Sequence, residues 1–369
     1  MNRRFVSLLG TLTISLFAPE NMWVLLAVGG GATPLSAQVP RSAPLPSRPV
    51  ATYSIVARDP ATGELGVAVQ SHWFSVGPIV PWAEAGVGAV ATQSFVDPSY
   101  GPLGLALLRA GRSAPEALEG LLAADPHPEV RQVAMIDAEG RVAAHTGGKA
   151  IIAAGHETGE NYSVQANLME KPTVWPAMAR AFEAAEGDLA ERMLLALEAA
   201  QAEGGDIRGR QSAALLVVSG EPTGKPWVDR IFDLRVEDHP TPLEELRRLL
   251  TLSRAYREMN AGDEAMAEND IEAAVGHYDA AMERVPDNAE MAYWTAVTLA
   301  GVDRVDEALP LFERAFAADP RWAVLTARLP AAGLLPDDPA LLERILGVPG
   351  GEPGRAEWRR LAAGRPNGP

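Results

Sequence analysis

Ala51-Thr52-Tyr53-Ser54-Ile55-Val56-Ala57-Arg58-Asp59 reads as a strand that starts abruptly on a hydroxyl residue. β-Branched and aromatic residues dominate it, and such side chains suit a pleated, buried surface. Period-two alternation puts Thr52 and Ser54 on one face and Tyr53 on the other. Asp59-Pro60-Ala61-Thr62-Gly63 is a turn sequence, and Leu65–Ser71 beyond it is a second strand. Asp137-Ala138-Glu139-Gly140 joins Val133–Ile136 to Arg141–His145 in the same way. Ser163–Leu168, Ala213–Ser219 and Ile231–Val236 are further expected strands, and Ala83–Ser94, small and Gly-rich, is read as one more.

Helices are expected between these hairpins. Ser113-Ala114-Pro115-Glu116 is a capping box that opens a helix to about Ala124. Asp188-Leu189-Ala190-Glu191 resembles a second, followed by an apolar stripe through Met193, Leu194 and Leu197. Thr241-Pro242-Leu243-Glu244 starts a third, with Pro at the first helical position. Hairpins and paired helices alternate in blocks, without the strand–helix alternation of a parallel sheet. The expected class is α+β, with stacked antiparallel sheets covered by helices over residues 52–255.

Beyond residue 255 the strand signals stop and a 34-residue period begins. Ala274, Tyr278, Ala281 and Pro286 recur as Ala308, Phe312, Ala315 and Pro320, with Gly262 and Ala296 at the matching small position. Small residues let two helices approach, an aromatic fills the gap, and Pro ends the second helix. The pattern resembles tetratricopeptide repeats, so residues 256–346 are expected to form an all-α helical-repeat domain. Trp322–Leu346 is read as a third helix pair or a cap. The Gly/Pro/Arg-rich tail at 347–369 is expected to be loose.

Upstream, Arg3 and Arg4 precede two apolar runs, Phe5–Phe17 and Met22–Val28, and Leu35-Ser36-Ala37 offers a cleavage position after Ala37. Residues 1–37 are therefore read as a signal peptide, and the protein as secreted or periplasmic. The alternative is a membrane anchor left uncleaved. Residues 38–51 form a linker, with four prolines between 38 and 50.

Composition narrows the function. A formal charge of −16 repels phosphate backbones, so no nucleic-acid partner is expected. The chain has no Cys, which removes disulfide, thiolate and Cys-type zinc chemistry. Gly220-Glu221-Pro222-Thr223-Gly224-Lys225-Pro226 is one residue short of a phosphate loop and has Pro226 where a hydroxyl should hold magnesium. No His pair has metal-ligand spacing on one helix face. No cofactor and no metal are expected.

What remains are polar clusters at predicted strand ends, and here the chain resembles a bacterial family, domain of unknown function 1028. The resemblance begins with residues 52–69 and continues through Val80-Pro81-Trp82, Ala91-Thr92-Gln93 and Pro98-Ser99-Tyr100-Gly101. It then takes in Gln165-Ala166-Asn167-Leu168-Met169, the run Gly205–Ala213 and the run Asp233–Pro240, so that it covers roughly 52–255. That family is grouped with the N-terminal-nucleophile hydrolases, whose fold is a four-layer αββα sandwich. The resemblance implies an exported hydrolase of amide or peptide-like bonds with Thr52 as nucleophile. A terminal Thr carries its own base, an α-amine whose ordinary pKa is about 7.7–8.0, near the pH at which general-base catalysis works best.

By the same resemblance, Gln93, Asn167 and the Arg208/Arg210 pair are candidates for oxyanion and substrate contacts, with Arg210 in the catalytic group and Arg208 and Trp82 in substrate binding. Asp206 is the candidate to orient the amine. Ser54 is a reserve nucleophile. In family members without a leader, Thr follows the initiating Met. Here cleavage after Ala37 leaves residues 38–51 in front of Thr52, so the bond Ala51–Thr52 must also be cut. The expected partner is a small-molecule or peptide-like substrate, with a protein partner or a second copy on the helical repeats. The alternative reading is a non-catalytic envelope scaffold that binds partners through the same two regions.

Overall fold

The computed structural model describes residues 49–50 and 52–363. The expected signal peptide, most of the linker and the last six residues of the tail lie outside the described residues. Among the described residues no helix is long and apolar enough to cross a membrane.

The chain is mixed α and β; among the described residues there are ten strands in two antiparallel sheets and a helical C-terminal region. In chain order the β-rich part runs β1 (Thr52–Arg58), β2 (Leu65–Ser71), β3 (Pro81–Glu84), β4 (Gly88–Ser94), α1 (Tyr100–Arg109) and α2 (Ala114–Ala124). It continues with β5 (Arg131–Asp137), β6 (Val142–Thr146), β7 (Gly155–Gly159), β8 (Tyr162–Ala166), α3 (Val174–Ala184) and α4 (Leu189–Ala202). It closes with β9 (Ser212–Val218), the short α5 (Pro226–Asp229) and β10 (Arg230–Val236). The larger sheet has the order β10-β9-β2-β1-β8-β7 and the smaller β3-β4-β5-β6.

Local chemistry sets these elements. Asp59 Oδ1 accepts hydrogen bonds from the backbone of Ala61 and Thr62, which turns β1 into β2 and fixes the register that pairs Thr52 with Ser71. The Ser113–Glu116 capping box forms as expected at the head of α2. The single strand expected over Ala83–Ser94 is instead a hairpin of β3 and β4. Gly86 takes φ +67°, a left-handed conformation that reverses the chain there.

Strand β1 is buried on both faces. Tyr53, Ile55 and Ala57 pack with Met178, Phe182, Leu194 and Leu197 of α3 and α4. On its other face Val56 joins Val67, Val69, Ala91 and Ile136 in an apolar layer shared by the two sheets. The outer face of the smaller sheet is covered by α1 and α2 through Val90, Val133, Met135, Leu105 and Leu118.

The helical region comprises α6 (Pro242–Ala267), α7 (Ile271–Arg284), α8 (Ala289–Gly301), α9 (Val305–Ala318), α10 (Arg321–Thr326), α11 (Pro339–Ile345) and α12 (Glu352–Ala363). The division expected at 255/256 falls inside α6. Its first half packs Leu243, Leu246 and Leu250 into the core under the larger sheet, and Ala255 and Met259 in its second half pack with α7. Arg247 bridges Glu191 and Glu198 of α4 at 2.7–2.9 Å, and Arg254 reaches Glu191 and Asp188.

The tail is not loose through Ala363. In α12, Trp358 packs against the apolar cluster of α8–α11, and Glu357 pairs with Arg360 one turn on. Gly and Pro dominate the composition of this tail, but Pro353 sits in the first helical turn, where its missing N–H costs nothing.

A Cβ on Gly262 would overlap the ring of Tyr278, so this glycine sets how closely α6 and α7 approach. Gly262→Val is expected to destabilise the chain by about 1–3 kcal/mol through overpacking. A lowered midpoint in thermal unfolding, absent in a surface control such as Gly276→Ala, checks it.

Candidate functional site

Thr52 opens β1 between β2 and β8, at a depth where its side chain is fully buried. Its Oγ1 donates to the Val50 carbonyl at 2.8 Å and lies 3.2 Å from Ser71 Oγ. Its carbonyl accepts from the Asn167 backbone at 3.1 Å and from Gln93 Nε2 at 3.2 Å, with Asn167 Nδ2 at 3.5 Å.

Around this strand end the space between the sheets is polar, in contrast to the valine-rich layer further along. Gln93 Nε2 donates to Gln132 Oε1 at 2.7 Å, and Asn167 Nδ2 donates to the same oxygen at 2.9 Å. Gln132 Nε2 in turn reaches Ala166 O and Thr146 Oγ1 at 2.9 Å and Gly155 O at 3.1 Å. Ser54 donates to Gln93 Oε1 at 2.6 Å and accepts from Gln165 Nε2 at 2.7 Å. A hydroxyl engaged in both directions inside the protein ties the two sheets together, with Gln93 from the smaller sheet and Gln165 from the larger. Such a network rigidifies its surroundings because each buried group has a partner. Asn167 Oδ1 and Ser94 Oγ are the exceptions beside Thr52: both are buried without a hydrogen bond.

Two of the residues that contact Thr52 lead directly into a cleft. Ser71 is followed by His72 and Asn167 by Leu168, and both line a hollow of about 630 Å³ together with Pro49, Phe74, Ile151 and Arg208. Asp206 organises one wall. Its carboxylate accepts from Arg208 Nη2 at 2.7 Å, Arg208 Nε at 3.1 Å and the His72 backbone at 3.1 Å.

The structure thus joins Thr52, Gln93 and Asn167 in one network, places Asp206 and Arg208 together at the neighbouring cleft, and sets two expected residues apart. Arg210 lines a separate hollow of about 240 Å³ with Gln201 and Leu243. It lies on the helix-covered side near Tyr53, whose phenol is pushed well above its ordinary pKa mainly by burial, then by Asp206, with Arg210 opposing. Trp82 donates its indole N–H to Ile79 O and rests against Gly101 in the layer under α1, where it packs the core. Sequence reading missed Gln132, Gln165, Ser71 and His72. The available signal was inward-facing polar residues in strands, at positions where an apolar side chain would be expected.

The network ends at Thr146 Oγ1, 2.8 Å from His156 Nδ1. Burial, and after it the neighbouring His145, lowers the His156 pKa below the ordinary 6.5. The unfolded chain therefore takes up this proton first as pH falls. The small contribution of this half-exposed ring is complete above the ordinary 6.5 and is lost as pH falls from there through the lowered folded-state value. His156→Asn is expected to flatten the dependence of stability on pH in that window, as measured by urea denaturation.

Two antiparallel sheets with a buried layer between them and helices on their outer faces, followed by paired helices, define the class of the protein. The chain belongs to a family of unknown function, DUF1028, whose model matches residues 52–246 and so opens on Thr52. A crystal structure of a protein from Silicibacter pomeroyi that carries the same family model is 31% identical, covering 54% of this chain and 84% of that one, with a TM-score of 0.49. No curated protein matches the chain.

Proposed function

We propose that this chain is an N-terminal-nucleophile hydrolase of amide bonds in peptide-like molecules, latent until the bond Ala51–Thr52 is cut. The observation that carries this reading is the position of Thr52. Its hydroxyl is buried at the head of a central strand, in contact with Ser71, and the residues next to Ser71 and Asn167, His72 and Leu168, line a cleft. The sequence of layers, α1 and α2, smaller sheet, larger sheet, α3 and α4, is read here as the αββα sandwich of that superfamily. The helices after α6 are read as tetratricopeptide-like repeats that dock a protein partner or a second copy. The Arg3-Arg4 leader is read as an export signal that delivers the protein outside the cytoplasm.

Activation follows from ordinary acyl chemistry. Thr52 Oγ adds to the Ala51 carbonyl carbon, the C–N bond breaks, and the hydroxyl proton ends on the Thr52 nitrogen. Water then hydrolyses the ester to the Ala51 carboxylate and restores the hydroxyl. In turnover the freed amine takes the Oγ proton as Oγ adds to the substrate carbonyl, and passes it to the leaving amine. Water splits the acyl ester to complete the cycle. Gln93 and Asn167 act as positioning residues, because their N–H groups hold the Thr52 carbonyl. Asn167 Oδ1, buried without a partner, is available to accept from the new amine.

A second reading, a binding scaffold without chemistry, is favoured by one observation: the donors beside Thr52 are engaged with Thr52 itself and with the segment before it. N-terminal sequencing of the purified full chain decides between them. The hydrolase reading expects a terminus at Thr52 and an uncut Thr52→Ala chain. A wild-type chain that still carries Ala51 on Thr52 while it performs its function leaves only the scaffold.

A further inference from the structure

Residues 49 and 50 sit in this protein the way a bound peptide would. Val50 exchanges two backbone hydrogen bonds with Ser94, its N–H to the Ser94 carbonyl at 2.7 Å and its carbonyl from the Ser94 N–H at 3.0 Å. The pair is a short antiparallel bridge at the end of β4. The Val50 side chain is 1% exposed and belongs to the apolar layer between the sheets. One residue earlier, the Pro49 carbonyl accepts from Arg208 Nη1 at 3.5 Å.

The cleft around this segment is rimmed by apolar side chains left in water. Phe74, 64% exposed, and Ile151 line it, and the exposed Ile152 and Ile207 are chain neighbours of Ile151 and of Arg208 in that lining. The rim is tied together by backbone bonds from Leu168 N to Ile151 O and from Ile207 N to Leu168 O. Single exposed apolar residues are ordinary, but a group of them around a cleft marks a binding surface.

Removal of everything before Thr52 would leave a donor and an acceptor on the Ser94 backbone, an apolar slot shaped to valine, and Arg208 relieved of the Pro49 carbonyl. Buried backbone groups need partners, and an extended peptide supplies them by adding a strand. Building on the Thr52 reading, we infer that the site takes an extended peptide, paired with Ser94, whose branched apolar residue fills the Val50 slot. The residue after it is small, as Ala51 is in this chain, and carries the carbonyl that Thr52 attacks. Arg208 binds the backbone carbonyl of the residue before the slot. The segment ahead of Thr52 is thus both the first substrate and the plug of the empty site.

The test uses the full-length chain in a Thr52→Ala background, so that no cleavage complicates it. The probe is a fluorescein-labelled acetyl-Arg-Pro-Val-Ala amide, and binding is read by fluorescence anisotropy. Val50→Asp puts a carboxylate in an apolar layer and should expel the segment. Val50→Gly removes the side chain alone and serves if the aspartate chain fails to fold. Either variant is expected to bind the probe at least tenfold more tightly than the parent, and a probe with Asp in place of Val is expected not to bind. Equal binding by parent and variants, no binding by any chain, or equal binding of the two probes overturns the inference. Because Thr52 is absent throughout, these results stand apart from catalysis. A chain with Thr52 that never loses its upstream residues refutes the hydrolase reading and leaves the peptide site to this measurement.

Discussion

Thr52→Ala is expected to abolish hydrolysis of acetyl-Arg-Pro-Val-Ala p-nitroanilide by a chain that begins at residue 52, with a loss on the order of 10⁴-fold or more in kcat. The reason is chemical: with the hydroxyl gone there is no acyl-enzyme, and the remaining contacts can bind but cannot react. Thr52→Ser keeps the hydroxyl but loses the β-branch that restricts χ1, so it should retain a lower, measurable rate. The base is the amine on the same residue. The rate should therefore rise with pH through a value near the ordinary amine pKa of about 7.7–8.0, as the ammonium gives up its proton. Acetylation of that amine should remove the activity while leaving the circular dichroism spectrum unchanged. An alanine chain as active as the parent would show that the reacting group lies elsewhere.

The parts of this fold that were legible in the sequence are those fixed by local chemistry. Asp59 and the stretch around it announce a turn, and the Ser113–Glu116 pair announces a helix start, because each depends on residues only a few positions apart. The hairpin at Gly86 was missed because the turn Ala85–Val87 is made of small and apolar residues, with no Pro, Asn or Asp to announce it beside the positive φ of Gly86. Strand β7 was missed for the opposite reason: Gly155–Gly159 is polar and largely exposed, an edge strand without an apolar face.

The site was half legible. Thr52 and Asn167 come at strand ends, where an unusual polar residue stands out. Gln132 is the second residue of β5 and Gln165 the last but one of β8, and a glutamine there looks like one more solvated side chain until the second sheet is laid over it. Arg208 and Arg210 look like a pair in the sequence. In the structure one lines the open cleft and the other a hollow beyond the larger sheet, so their apparent partnership dissolves.

Gln132→Leu is expected to cost about 3–5 kcal/mol of stability, because it strands several buried groups at about 1–3 kcal/mol each. Gln132 gives its amide hydrogens to Ala166 O, Thr146 Oγ1 and Gly155 O, and its oxygen receives from Gln93 and Asn167. Leucine has nearly the same volume, so the loss reports polar satisfaction rather than a cavity. Gln93 and Asn167 keep the Thr52 carbonyl as a fallback acceptor, which moderates the cost on that side. The Ala166 and Gly155 carbonyls show no second donor among side chains of the smaller sheet. Urea denaturation of the full-length chain measures the change, with Gln211→Leu, which loses a single side-chain hydrogen bond to Asp238, as the control expected to cost about 1 kcal/mol or less. A Gln132→Leu loss below about 1 kcal/mol would mean that water, and not this glutamine, satisfies the groups between the sheets. The network could then not hold Thr52 in place, and the rigid seat on which its chemistry depends would have to be sought in the strand pairing with β2 and β8 alone.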